Sequence, residues 1–169
     1  VTLESQEMLT GTKFNAENNA SRLGIKGSTE LKRDLEFIYQ AEYEVDPVDG
    51  TADESNGRTF KQRNTFIGFK GSLGTLFLGT HDTAFRKSQD KIDLFNDLAS
   101  DIKNILEGEN RLSELVGFTT PVFGKNFSAT FNVIKEKDGL DDASSFSLKY
   151  RTSNIYAALA LDSKVEGYD

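Results

Sequence analysis

The stretch LEFIYQAEYEV, Leu35–Val45, decides how this chain is read. Its odd-numbered positions, Leu35, Phe37, Tyr39, Ala41, Tyr43 and Val45, are all apolar. Between them stand Glu36, Ile38, Gln40, Glu42 and Glu44. Successive side chains of a strand point to opposite faces, so the segment presents one apolar wall and one wall carrying three glutamates. The question it poses is what medium covers the apolar wall.

The two-residue period continues on both sides. Upstream, RLGIK (Arg22–Lys26) sets Leu23 and Ile25 on one face, and GSTELKRD (Gly27–Asp34) turns into the quoted strand. Downstream, DPVDGTADESNG (Asp46–Gly57) is an exposed loop by its composition. RNTFIGFKG then places Thr65, Ile67 and Phe69 opposite Phe66, Gly68 and Lys70, and SLG (Ser72–Gly74) turns into TLFLGT (Thr75–Thr80). Further on, RLSELVGFTT groups Leu112, Val116 and Phe118, and NFSATFNVIK groups Phe127, Ala129, Phe131 and Val133. FSLKYR and IYAALALD repeat the pattern, the first with Phe146, Leu148 and Tyr150. With the opening VTLESQEML, nine strands are expected. Short links (Ser72–Gly74, Thr152–Asn154) alternate with long polar ones (Asp46–Gly57, Lys135–Ser144). That alternation fits an all-β, antiparallel up-and-down barrel with one plain rim and one elaborated rim.

Composition narrows the functions. The 169 residues suggest one domain, only 37% of them are hydrophobic, and the net charge is −7. No basic patch is visible, so nucleic acid is not an expected partner. The longest apolar run, Ile155–Leu161, is far short of a transmembrane helix, but a barrel strand crosses with about 9–11 alternating residues. Without cysteine there is no disulfide framework or thiolate metal site, and no cofactor is expected. No nucleophile, base and orienting group assemble, so no enzyme is expected. The lone His81 reads as structural.

One segment breaks the pattern. From His81 to Asn110, strand alternation is absent, and Ile92, Phe95, Ala99, Ile102 and Leu106 recur at the spacing of one helical stripe. Ser88 is placed to cap the start and Gly108 the end. Asp93, Asp97 and Asp101 form a carboxylate stripe on the other face. An acidic helix face is often only a solvated surface, but loops this long usually have a task.

The order of segments resembles the general porins of the Gram-negative outer membrane. SRLGIKGSTEL leading into an alternating strand, RNTFIGFKG-SLGTLFLG, and ENRLSELVGFTTPVF after the long loop carry the resemblance. It implies part of a trimeric 16-stranded barrel in a bilayer bearing lipopolysaccharide, with a water-filled lumen that passes ions and small hydrophilic solutes. Strands up to residue 80, an inward constriction loop over 81–110 with a short helix, and strands over 111–163 would make a single, incomplete barrel domain. The apolar wall of Leu35–Val45 would then meet lipid or a neighbouring subunit, and its glutamates would line water.

The resemblance also implies a constriction, in which wall arginines face carboxylates of the inward loop. Arg22 and Arg111 occupy the matching wall positions. A third family arginine is Thr80 here, and Lys26 and Lys70 share the inward phase. The family's loop-tip motif is missing, so Asp93, Asp97 and Asp101 are inferred from the stripe. Glu36, Gln40, Glu42 and Glu44 add negative wall, giving an expectation of mild cation preference. Arg63 falls in the outward phase and reads as a rim or subunit-contact residue. Two other architectures are compatible with alternating strands: a small complete barrel that does not conduct, and a soluble β-sandwich or lipocalin-like binding module.

Overall fold

A computed structural model of the chain describes residues 2–8, 11–18, 20–53, 55–90, 92, 108–135 and 142–165. Among them are ten strands and one short helix. The strands are β1 Thr2–Met8, β2 Gly11–Glu17, β3 Arg22–Lys32, β4 Leu35–Val45, β5 Phe60–Gly71, β6 Gly74–Asp82, β7 Arg111–Thr119, β8 Phe127–Ile134, β9 Ala143–Arg151 and β10 Tyr156–Ser163. Helix α1, Ala84–Ser88, follows β6. β3 to β10 form one eight-stranded antiparallel sheet in sequence order, and β1 pairs with β2 in a separate hairpin. β2 is the strand the periodicity did not reveal, because GTKFNAE carries too few apolar residues to signal one.

Register answers the opening question. Phe37, Phe69, Leu76, Phe118, Phe131, Phe146 and Leu161 are successive cross-strand partners from β4 to β10, an unbroken apolar row across seven strands. This row is not covered: Phe69 is 45% exposed, Phe131 47% and Leu161 72%. A second apolar row, Tyr39, Ile67, Leu78, Val116 and Val133, runs beside it. A soluble sandwich would bury such a face against a second layer. Here no described element packs on it, and the face offers lipid what lipid requires. Eleven residues, as in β3 and β4, rise about 25 Å at the tilt of roughly 45° usual in membrane barrels.

The links sort by length as the sequence suggests. At one rim, Ser72 and Leu73 alone join β5 to β6, and the next residue, Gly74, has φ +130° and lies against the Thr119 carbonyl, where a Cβ would collide. The opposite rim carries the long loops. In the one over 46–59, Asp46 accepts from the amides of Val48 and Asp49, and Asp53 accepts from Ser55 Oγ (2.6 Å) and Asn56 Nδ2 (3.0 Å). Those two side-chain hydrogen bonds hold the exposed Asp53 carboxyl below the ordinary range.

Strict alternation fails at two β-bulges near that elaborated rim. Arg63 and Asn64 on β5 together oppose the single residue Glu42 on β4. On β7, Ser113 and Glu114 oppose Thr80 of β6, with Glu114 at φ +55°. The second bulge corrects the grouping of Leu112 with Val116 and Phe118: Leu112 turns to the other face and is buried, while they stay exposed. Leu112, Leu115, Phe77, Ile134 and Ala143 form a small apolar cluster there.

Candidate functional site

The face opposite the apolar rows carries the charges. Arg22 faces Glu44 across the β3–β4 ladder, Lys26 faces Gln40, and Glu36 faces Lys70 across β4–β5. The Lys70–Glu36 pair, at 3.5 Å and well exposed, contributes little to stability. Nearer the elaborated rim the network tightens. Arg63 Nε lies 2.9 Å from Glu42 Oε1 and its Nη1 2.7 Å from Glu44 Oε2, with the guanidinium largely out of water. Arg111 Nη2 lies 2.9 Å from Asp82 Oδ1, and Asn64 Nδ2 donates to Asp82 Oδ2 at 2.8 Å. Arg86 reaches both Asp82 (3.6 Å) and Glu109 (3.2 Å). Three guanidiniums and four carboxylates thus form two neighbouring clusters, Arg63 with Glu42 and Glu44, and Arg111 and Arg86 with Asp82 and Glu109.

The segment after β6 is pinned to this same face. Thr83 caps α1 by accepting from the Arg86 amide, and wall side chains take the next donors. The Ala84 amide donates to Asn132 Oδ1 (2.6 Å) and the Phe85 amide to Ser145 Oγ (2.9 Å). The free N–H groups of a helix start need such acceptors. Tyr156 then donates to the Ser88 carbonyl (2.6 Å), Lys149 to the Lys87 carbonyl (2.7 Å), and Arg151 pairs with Asp90 while stacking over Tyr156. At the other end, the Thr83 amide donates to the Asn110 carbonyl and Arg86 Nη1 to the Glu109 carbonyl, which clamps the two ends of the loop together.

Arg22, Lys26, Glu36, Gln40, Glu42 and Lys70 therefore share one face, and Arg111 meets Asp82 near the elaborated rim. Asp93, Asp97 and Asp101, with most of the expected helix, lie outside the described residues. Ser88 is the last residue of α1, which Thr83 caps, and the helix Ser88 was expected to cap lies outside the described residues. His81 belongs to β6 and is buried between Phe66 and Phe77. Arg63 corrects the outward assignment: the bulge turns it onto the charged face, where Glu42 and Glu44 hold it. Arg86 and Glu109 escaped notice because a loop gives no period from which to infer a face. Among the described residues no group of three His, Cys, Asp or Glu side chains could hold a metal, and no helix is long and apolar enough to cross a membrane.

Comparison with known proteins places this geometry. The sequence profile of the Gram-negative porins matches residues 4–167. The major outer membrane protein P.IA of Neisseria meningitidis serogroup B is 28% identical over 150 residues, which are 87% of this chain and 36% of that protein. Among solved structures, an anion-selective porin from Comamonas acidovorans superposes with a TM-score of 0.67 at 20% identity, covering 89% of this chain and 49% of that one. Salmonella typhi OmpF, solved in complex with daunomycin, gives 0.67 at 15% identity over 88% and 48%. The chain spans between about a third and a half of the length of these relatives.

Proposed function

From the premise that this chain belongs to the Gram-negative porin family and resides in the outer membrane, we propose that the whole protein is a passive channel for ions and small hydrophilic solutes. The family is one of channels and not an enzyme class. One observation carries the reading: an uncovered apolar row crosses seven strands while a loop is pinned to the charged face behind it. In a closed barrel that charged face lines water and the loop narrows it. β3 and β10 each pair on one side only among the described residues, and further strands pairing with both edges would close a barrel wide enough for a water-filled lumen. The apolar face serves lipid, lipopolysaccharide and the contacts of a homotrimer.

Arg22, Lys26, Glu36, Gln40, Glu42, Lys70 and Arg111, joined by Arg63, form the wall side of the constriction, and Asp93, Asp97 and Asp101 the loop side. The wall guanidiniums near the rim are matched by wall carboxylates, so an acidic loop tips the lumen toward mild cation preference. Native protein extracted without boiling and added to a planar bilayer should give stepwise conductance, migrate as a heat-labile trimer, and reverse at a cation-selective potential in a KCl gradient. Absence of any step would end the channel reading, and a reversal potential of anion-selective sign would remove the acidic-loop constriction.

A further inference from the structure

Between α1 and the charged face lies a cavity of about 270 Å³ that the constriction does not use. Its floor is apolar. Ile38, Phe66, Phe77 and His81 line it, the Phe77 and His81 rings 4.5 Å apart and those of Phe66 and His81 5.0 Å apart. Gly117 on β7 lets the Phe77 ring lie flat against the wall, since a Cβ there would overlap it. His81 Nδ1 donates to the Asp82 carbonyl at 2.7 Å, which fixes the plane of its ring. The polar lining is Thr75, Thr119 and Thr130, the hydroxyls of the last two sharing a hydrogen bond, with Asp82, Lys87 and Lys149.

Its charged lining is two lysines and one aspartate. Asp82 is the single carboxylate of the lining, and it is held by Arg111 and Arg86. No carboxylate of the described residues lies within ion-pair distance of Lys87 or Lys149. Lys149 is instead fixed by the Lys87 carbonyl, so α1 itself positions it. Aromatic floor, two lysine cations and hydroxyls are what a flat ring bearing one anionic group requires. The volume exceeds the roughly 150 Å³ that accepts benzene in an apolar protein cavity and falls just below the usual range for drug-sized ligands.

We propose that this cavity is a lumenal binding site for small aromatic carboxylates, holding the ring on Phe66, Phe77 and Ile38 and the carboxylate at Lys87 and Lys149. This rests on the channel reading and adds a substrate class to it. A site of this kind retains an aromatic acid beside the main path, so that its passage saturates while that of small ions does not.

The test uses the native full-length protein with benzoate, acetate and benzyl alcohol as probes. In planar bilayers, benzoate should interrupt the ionic current at concentrations at least tenfold below those at which acetate or benzyl alcohol does so. Saturation-transfer NMR on the detergent-extracted protein reads binding without conduction. Lys87→Gln should raise the half-saturating benzoate concentration about tenfold in both measurements, and Lys87→Arg should restore it. A protein that conducts but treats benzoate and acetate alike overturns the site and leaves the channel standing. A protein that binds benzoate at this site yet never conducts overturns the channel alone. Benzoate binding unchanged in Lys87→Gln also overturns the site.

Discussion

The β3–β4 hairpin and the rim of β5–β7 are built from similar residues to different effect. In the hairpin, pairing slips only beside its turn, at Leu31, and from Arg22–Glu44 to Glu30–Glu36 every side chain keeps the face its position in the sequence implies. In β5–β7 two extra residues break the ladders, and the arginine just beyond the last alternating pair is swung through the sheet into a pocket of carboxylates. Lys26 and Glu30 of the hairpin stay exposed to water, whereas at the bulged rim the charges tie to one another, the hairpin's own Glu42 and Glu44 among them. Alternation builds the wall; its interruptions assemble the network that the wall carries.

Removing an arginine from each region should separate them most. Arg63→Ala would leave Glu42 and Glu44 facing one another, and we expect a loss of about 3 kcal/mol, the low end for a buried pair because both glutamates keep some exposure. Arg22→Ala, on the exposed hairpin, should cost under about 1 kcal/mol. Reversible urea unfolding of protein in lipid vesicles measures both, and equal losses would erase the distinction. Next in size, Phe131→Arg at the middle of the apolar row should cost about 2–4 kcal/mol in vesicles. Gln40→Arg, on the charged face, should stay within about 0.5 kcal/mol. A tolerated arginine at position 131 would mean that the row does not meet lipid.

The same contrast governs what the sequence could disclose. Leu35–Val45, Phe127–Val133 and Phe146–Tyr150 were legible because a half-exposed strand must alternate, and a period of two survives any turn length. Arg22, Lys26, Glu36 and Glu42 followed from that phase. Arg63 and Leu112 did not, because an extra residue reverses every face beyond it and leaves composition untouched. Arg86 and Glu109 are joined by a loop clamp that depends on Thr83 and Asn110 meeting, a long-range pairing that local pattern does not encode. Glu114 bears on this directly. At φ +55° a β-branched side chain is strained, so Glu114→Ile should cost about 1–2 kcal/mol, and Glu114→Gly should be tolerated. Equal unfolding midpoints for the two variants would show that the β7 bulge does not hold its conformation.

The smallest effect belongs where neither wall nor network is involved. Asp53 sits in the exposed loop over 46–59, bonded to Ser55 and Asn56, and those bonds hold its carboxyl below the ordinary value. A lowered value in the folded protein means that the order it lends the loop is complete above the unfolded value of about 3.9 and disappears as pH falls through the lower folded one. The amide and side-chain signals of Ser55 and Asn56 should therefore shift together with a midpoint below that of a free aspartate, and Asp53→Asn should abolish the transition. The strand amides of β4 and β5 should stay unmoved over the same titration, because the turn is local and its carboxylate fully solvated. A concerted shift reaching Glu42 and Arg63 would instead join the rim loop to the wall network, and the boundary between the two regions would move outward.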